Sequence, residues 1–277
     1  MVPHPPFTHP FGGYWHTGRK TLTPAMKSAA SDLPHWPYPR WIAHRGAGRL
    51  APENTLAAFR LGAQHGYRMF ECDAKLSADG VLFLLHDDTL ERTTSGQGLG
   101  GALPWAALSQ LDAGGWHSRA HAGEPPATLE AVVRYCLANR FDLNIEIKPS
   151  PGLAHVTGEA VGREALRLWA GAVGAPPLLS SFEPEALAGA RQTAPALPRG
   201  LLLETLSDGW LDTALGLGCV AVICDHEHWT ADAMACARQA GLRTLTYTVN
   251  EPADVGRLQA WGIDGIITDA VDRFSPV

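Results

Sequence analysis

Eight short apolar runs recur along this chain, and most are followed by a longer segment with helical spacing. This alternation limits the fold more than any other feature of the sequence. The candidate strands are residues 41–44, 68–74, 143–148, 178–181, 200–203, 220–224, 244–249 and 265–268. Amphipathic stretches at 53–65, 128–139, 155–172, 184–192, 231–240 and 252–260 supply candidate helices, with 207–215 a weaker one. Strands separated by helices pair in parallel, because a parallel connection needs a dozen or more residues to cross over. Eight such units in about 230 residues predict a closed (β/α)8 TIM barrel. An open doubly wound sheet would carry a glycine-rich fingerprint after its first strand. Gly46-Ala47-Gly48 lacks both the third glycine and the helix start that this fingerprint needs.

One segment breaks the rhythm. Asp79-Gly80 is a hairpin turn signal, and the gap between the flanking runs is too short for a parallel crossover. Residues 81–86 are therefore expected to run antiparallel to 71–76, as a hairpin rising from the second barrel strand. Folding back at this turn brings His86 towards Glu71 and Asp73. Residues 87–126, rich in glycine, serine and threonine, then form an insertion expected over the barrel mouth. Residues 1–39 hold many prolines, with His4, His9, His16 and His35, and no sustained apolar period. They read as an extended arm rather than a metal site, which leaves 40–277 as the barrel domain.

Composition narrows the class. In 277 residues, 45% hydrophobic and 18% charged is the balance of a globular protein, which argues against disorder. A net charge of −6 argues against a protein that wraps nucleic acid. The five cysteines, Cys72, Cys136, Cys219, Cys224 and Cys236, make no C-x-x-C pair, so neither a disulfide framework nor a structural zinc site is expected. The first ten residues offer prolines and histidines where a signal peptide needs an apolar run, and no stretch reaches the roughly 18 apolar residues of a membrane span. A cytoplasmic protein without stable membrane insertion is expected. A homo-oligomer is left open.

Strand alternation then sorts the side chains. Glu71 and Asp73 share one face, with Cys72 on the other. Glu146 and Lys148 share a face, opposite Ile145 and Ile147. Isoleucines belong against the helices, so the three acids converge inside the barrel at the C-terminal ends of its strands, where barrel active sites sit. Three carboxylates about 5 Å apart repel by roughly 3 kcal/mol per pair at an effective dielectric of about 20. They must take up protons or share a cation, and an all-oxygen set favours Mg2+, Ca2+ or Mn2+ over zinc. The plainer alternative is a separate salt bridge for each acid. His44 ends the first strand and His86 ends the hairpin, so two groups that titrate near neutrality flank the acids as an acid/base pair. Arg45 and Lys148 supply charge for phosphate oxygens. Asp225-His226-Glu227-His228 has metal-like spacing but reads as pocket lining rather than a second metal site.

At this point the ordered motifs become specific. His44-Arg45-Gly46, Pro52-Glu53-Asn54-Thr55, Glu71-x-Asp73, Ser77-x-Asp79-Gly80, His86-Asp87 and Arg92-Thr93-Thr94 closely resemble the glycerophosphodiester phosphodiesterase family. The likeness continues through Leu111-Asp112-Ala113-Gly114, Thr128-Leu129-Glu130, Asn144-Ile145-Glu146-Ile147-Lys148, Ser180-Ser181-Phe182, Thr248-Val249-Asn250 and Asp264-Gly265-Ile266-Ile267-Thr268-Asp269, spanning residues 41–270. The chain looks most like the cytoplasmic bacterial members.

The resemblance implies a phospholipase-C-like barrel that hydrolyses glycerophosphodiesters to glycerol 3-phosphate and an alcohol. It implies one divalent metal on Glu71, Asp73 and Glu146 (Mg2+ first, Ca2+ or Mn2+ as alternatives), catalytic His44 and His86, and phosphate contacts from Arg45 and Lys148. Phe182 and Tyr247 are the expected substrate-binding aromatics. Tyr247 stands where the family commonly has tryptophan, and its hydroxyl is expected to alter alcohol preference. Which histidine is acid and which base stays open. The alternatives are a lysophospholipase D, a glycerophosphoinositol-type phosphodiesterase on the same site, or a barrel that binds phosphorylated ligands without turnover.

Overall fold

The computed structural model of the protein describes residues 35–274 and 276. The expected arm, with His4, His9 and His16, lies outside the described residues apart from 35–39. Nine strands form one sheet: β1 Trp41–Ala43, β2 Met69–Leu76, β3 Leu82–Leu84, β4 Asp142–Ile147, β5 Leu178–Ser181, β6 Arg199–Leu203, β7 Ala221–Asp225, β8 Arg243–Tyr247 and β9 Gly265–Thr268. Eight are parallel and close on themselves. β1 pairs with β9 (Ala43 against Thr268) and with β2 (Ala43 against Phe70). The architecture is a (β/α)8 TIM barrel, as the alternation predicts.

The helices are α1 Leu56–Gln64, α2 Trp105–Leu108, α3 Leu129–Asn139, α4 Ala154–Trp169, α5 Pro184–Thr193, α6 Trp210–Gly216, α7 Ala231–Gln239 and α8 Pro252–Ala260. Their starts are written locally. The hydroxyls of Thr55, Thr128 and Thr230 accept hydrogen bonds from the amides of Ala58, Ala131 and Ala233. Pro184 and Pro252 open α5 and α8, where a missing N–H costs nothing. No helix among the described residues is long and apolar enough to cross a membrane.

Two apolar layers follow from the alternation of strand side chains. Inward-pointing Ile42, Met69, Leu178, Leu202, Ile223, Leu245 and Ile267 fill the barrel floor above Tyr38. Outward-pointing Phe70, Cys72, Leu143, Ile145 and Ile147 pack against Phe59, Val132, Val133 and Val161 of the surrounding helices. Cys72 thus sits in the helix layer, as expected, and all five cysteines are free.

β3 departs from the repeat. It runs antiparallel to β2, with Ala74 opposite Leu84 and Leu76 opposite Leu82, and the amide of Leu85 continues the ladder to the carbonyl of Asp73. The insertion that follows carries α2 and builds a small core from Phe83, Leu85, Leu90 and Leu108.

Candidate active site

The acids come first. Across parallel β2 and β4, Glu71 lies opposite Asn144 and Asp73 opposite Glu146, so one face of two neighbouring strands carries all three carboxylates. Their oxygens lie within 4.8 Å of one another, and among the described residues no other such group forms. In particular, Asp225-His226-Glu227-His228 makes none. Asp225 and His228 line the cavity, and His226 faces Asp254 at 3.9 Å. Glu71, Asp73 and Glu146 are 2%, 1% and 9% exposed.

Burial and crowding act on these acids unequally. Burial first, then Asp73 and Glu146, hold Glu71 well above the usual carboxylate range. Burial and then Asp73 also raise Glu146, against the pull of Lys148. Asp73 goes the other way. Burial would raise it, but Arg45, His86, Lys148 and the Asn54 amide together outweigh that and hold it below the usual range.

The turn after β1 is built to serve this cluster. Arg45 and Asn54 both adopt left-handed backbone (φ 48 and 60), which aims the Arg45 amide at Glu71 Oε2, 3.0 Å away. A Cβ on Gly48 would overlap the Asp269 backbone, so this loop lies directly against the one after β9. That approach sets His44 Nδ1 2.6 Å from Asp269 Oδ1, with Nε2 3.9 Å from Glu71 Oε2. The Arg45 guanidinium lies 2.9 Å from Glu53 and 3.3 Å from Asp73. Asn54 clamps Asp73, donating to its carboxylate at 2.7 Å and accepting from its backbone amide at 3.1 Å.

The hairpin delivers His86 to the same place. Its Nδ1 meets Asp87 Oδ1 at 2.7 Å, and Arg92 joins Asp87 (2.6 Å) to Glu53 (2.8 Å). Burial is the larger influence on His86 and lowers its pKa. Asp73 opposes that, while Arg45 and Lys148 reinforce it. Lys148 Nζ lies 2.9 Å from Glu146 and 5.4 Å above the Phe182 ring. Phe182 meets Tyr247 edge-on, with ring centres 5.7 Å apart. The Tyr247 hydroxyl donates to the Leu203 carbonyl at 3.0 Å, so it presents a ring face rather than a free hydroxyl.

His44, His86, Arg45, Glu71, Glu146, Lys148, Phe182 and Tyr247 all line one cavity of about 770 Å3, and Asp73 completes the acid trio at its wall. The two histidines, the three acids, Arg45, Lys148, Phe182 and Tyr247 are therefore brought together. Several partners lacked any assigned role in the sequence: Asp269, which holds His44; Asn54, which holds Asp73; Glu53 and Arg92, which tie the two loops; and Asn144 in the cavity wall. Their letters stood inside the matched motifs, but pairings such as His44–Asp269 exist only once the barrel closes.

Residues 44–273 match the glycerophosphoryl diester phosphodiesterase family. The chain belongs to this family. A glycerophosphodiester phosphodiesterase of Caldanaerobacter subterraneus subsp. tengcongensis is 31% identical over 233 residues, covering 82% of this chain and 93% of that one. A phosphodiesterase of Oleispira antarctica, solved in complex with its product sn-glycerol-3-phosphate, superposes with a TM-score of 0.79 at 32% identity, over 88% of this chain and 96% of that one. A glycerophosphodiester phosphodiesterase of Agrobacterium tumefaciens gives 0.73 at 29% identity, over 86% and 100%. The chain is thus a phosphoric diester hydrolase of the glycerophosphodiester phosphodiesterase type. Family membership implies a divalent cation, and the residues fit one. The acid trio offers only oxygen donors, it repels itself, and Glu71 Oε1 is buried with no hydrogen-bond partner among the described residues.

Proposed function

We propose that this phosphodiesterase hydrolyses small glycerophosphodiesters to glycerol 3-phosphate and the head-group alcohol, with Glu71, Asp73 and Glu146 holding one divalent cation, Mg2+ first. The observation that carries the reading is that two histidines, each gripped through Nδ1 by its own carboxylate, face one cavity beside the acids. Anchoring Nδ1 fixes the tautomer and leaves Nε2 as the nitrogen free to exchange a proton.

A cation at the acids would offset their repulsion and draw charge from phosphate oxygens. The chain's own groups do the rest. Arg45 and Lys148 lie on the phosphate side, where they neutralise the charge that grows as the attacking oxygen closes on phosphorus. One histidine takes the proton from that oxygen, whether a neighbouring glycerol hydroxyl or a water, and the other gives a proton to the departing alcohol. Attack by the glycerol hydroxyl first gives a cyclic phosphate, which a water then opens to glycerol 3-phosphate with the two histidines in exchanged roles. Phe182 and Tyr247 wall the substrate. Asp225, Glu204 and Glu183 line the cavity as well, and none has a cationic partner among the described residues. That side suits an alcohol carrying positive charge, such as choline or ethanolamine.

The test is direct detection of glycerol 3-phosphate across a panel of diesters, with and without chelator. Release that chelator abolishes and Mg2+ restores is the expected result. Turnover indifferent to chelator, or phosphate binding without turnover, sinks the reading.

A further inference from the structure

The inner wall beside the acids holds polar groups that the mechanism above leaves unused. Asn144 is 1% exposed and lines the cavity, yet neither its Nδ2 nor its Oδ1 has a hydrogen-bond partner among the described residues. It sits level with Glu71 across the β2–β4 ladder, two residues before Glu146 on the same inward face. Glu71 Oε1 is likewise buried without a partner. On the next strand, Ser180 lies opposite Glu146, fully buried with its hydroxyl unpartnered. It has the parity of Leu178, which fills the barrel floor, and of Phe182, which lines the cavity, so it too points inward.

A buried carboxamide without partners is costly, and barrel interiors usually carry branched aliphatic residues at such positions. Leucine has the same branching at Cγ and carries no such cost. Four orphaned polar atoms on three adjacent strands, one in the acid cluster and three level with its members, therefore form a polar wall matched to something polar beside it. Asn144 offers both an acceptor and two donors there, as a hydrated cation requires: an oxygen for the ion or its water, and N–H groups for the ligating carboxylates.

We propose that Asn144 is a positioning residue for the cation, its carboxamide binding the cation's bound water or orienting Glu71 toward it. The inference rests on the cation reading given above. Asn144 sets affinity and ligand orientation, with no part in proton transfer.

The experiment is calorimetric titration of the full-length protein with Mg2+ alone, beside melting of the metal-free protein in chelator. Asn144→Leu is expected to weaken Mg2+ binding by about 10- to 100-fold. Its metal-free Tm should stay level or rise, because no hydrogen bond is lost and an unpaired amide is removed. Asn144→Asp keeps an oxygen at the position and should bind Mg2+ at least as tightly as wild type. Binding by Asn144→Leu within about twofold of wild type overturns the proposal, as does a metal-free Tm lowered by more than about 5 °C, which marks a packing role. If Asn144→Leu does not fold, Asn144→Asp decides, and weaker Mg2+ binding overturns the proposal. Wild type that takes up no Mg2+ overturns the cation reading itself. Wild-type binding with an indifferent Asn144→Leu leaves that reading intact and removes only the role of Asn144.

Discussion

His44 Nδ1 stands 2.6 Å from a carboxylate oxygen of Asp269, joining the end of the first barrel strand to the end of the last across 225 positions of sequence. The carboxylate accepts a hydrogen bond from Nδ1–H and leaves Nε2 bare toward Glu71. Asparagine in its place can donate to Nδ1 and push the ring proton onto Nε2, the wrong tautomer for the chemistry. Asp269→Asn is therefore expected to lower kcat by about 10²- to 10⁴-fold with little change in KM or Mg2+ affinity. Steady-state kinetics on glycerophosphocholine checks this, and a kcat within threefold of wild type, a margin of roughly 0.7 kcal/mol, removes the orienting role.

His86 depends on a longer relay. Asp87 holds its Nδ1, Arg92 holds Asp87, and Glu53 joins Arg92 to Arg45. Arg92 is the leading cause of the depressed pKa of Asp87, helped by His86, which favours the ionised carboxylate beside the ring. His86→Ala should remove about 10²- to 10⁴-fold of kcat. Arg92→Ala leaves both histidine rings in place but loosens the brace on His86, so a smaller loss of about tenfold is expected. Equal losses in the two variants would place Arg92 in the chemistry itself.

These two relations show what the sequence could and could not deliver. The eight-fold alternation and the Asp79-Gly80 turn are local signals, so the barrel, the hairpin and the convergence of Glu71, Asp73, Glu146 and His86 were all legible. Parity along β2 and β4 was enough to sort acids from isoleucines. Asp269 and Asn54 were not legible as partners, because their contacts depend on how two loops settle after closure. The partner of the Tyr247 hydroxyl was hidden for the same reason: it donates to the Leu203 carbonyl at the end of β6, two strands away around the barrel.

Cation binding should be coupled to protons with a definite sign. Glu71 and Glu146 are raised by burial first and by neighbouring carboxylates second, so the metal-free protein keeps protons where free carboxylates have lost them. Mg2+ must displace those protons, and its apparent affinity should rise with pH. Titration in two buffers of different ionisation enthalpy will reveal the release. By linkage, an acid raised in the folded state favours folding at low pH and loses that advantage as pH rises towards its folded value. These two acids should therefore weaken the metal-free protein as pH rises above the ordinary carboxylate range. Glu71→Gln should remove part of that trend, gain about 1–3 kcal/mol of metal-free stability near pH 8 and lose Mg2+ binding. A variant less stable than wild type in chelator would contradict the repulsion argument.

Asp142 at the start of β4 tests the same linkage away from the site. Burial raises its pKa from 3.8 to about 6. The folded protein thus holds this proton more tightly than the unfolded chain, and its contribution to stability declines between about pH 4 and pH 6. Asp142→Asn cannot ionise. It should match wild type near pH 3.5 and exceed it at pH 7.5 by about 1 kcal/mol, the full linkage discounted for partial exposure. Denaturant melts at the two pH values make the comparison, and an equal difference at both points to packing rather than ionisation.

Head-group choice should follow the charge of the cavity walls. Arg45 and Lys148 bring positive charge to one part of the cavity, while Asp225, Glu204 and Glu183 line the cavity without cationic partners among the described residues. Burial is the main cause of the raised Tyr247 pKa, with Asp225 and Glu204 adding to it, which places their negative field at the aromatic wall. A quaternary or primary ammonium against the rings of Phe182 and Tyr247 gains about 0.5–1 kcal/mol from the ring faces. Partly exposed carboxylates add a similar amount. Together these amount to about a tenfold preference in kcat/KM for glycerophosphocholine over glycerophosphoinositol. The double variant Asp225→Asn, Glu204→Gln should erase most of that preference by raising KM for the cationic diester alone. A parallel loss on both diesters would show that these acids support the fold of the mouth rather than select the head group.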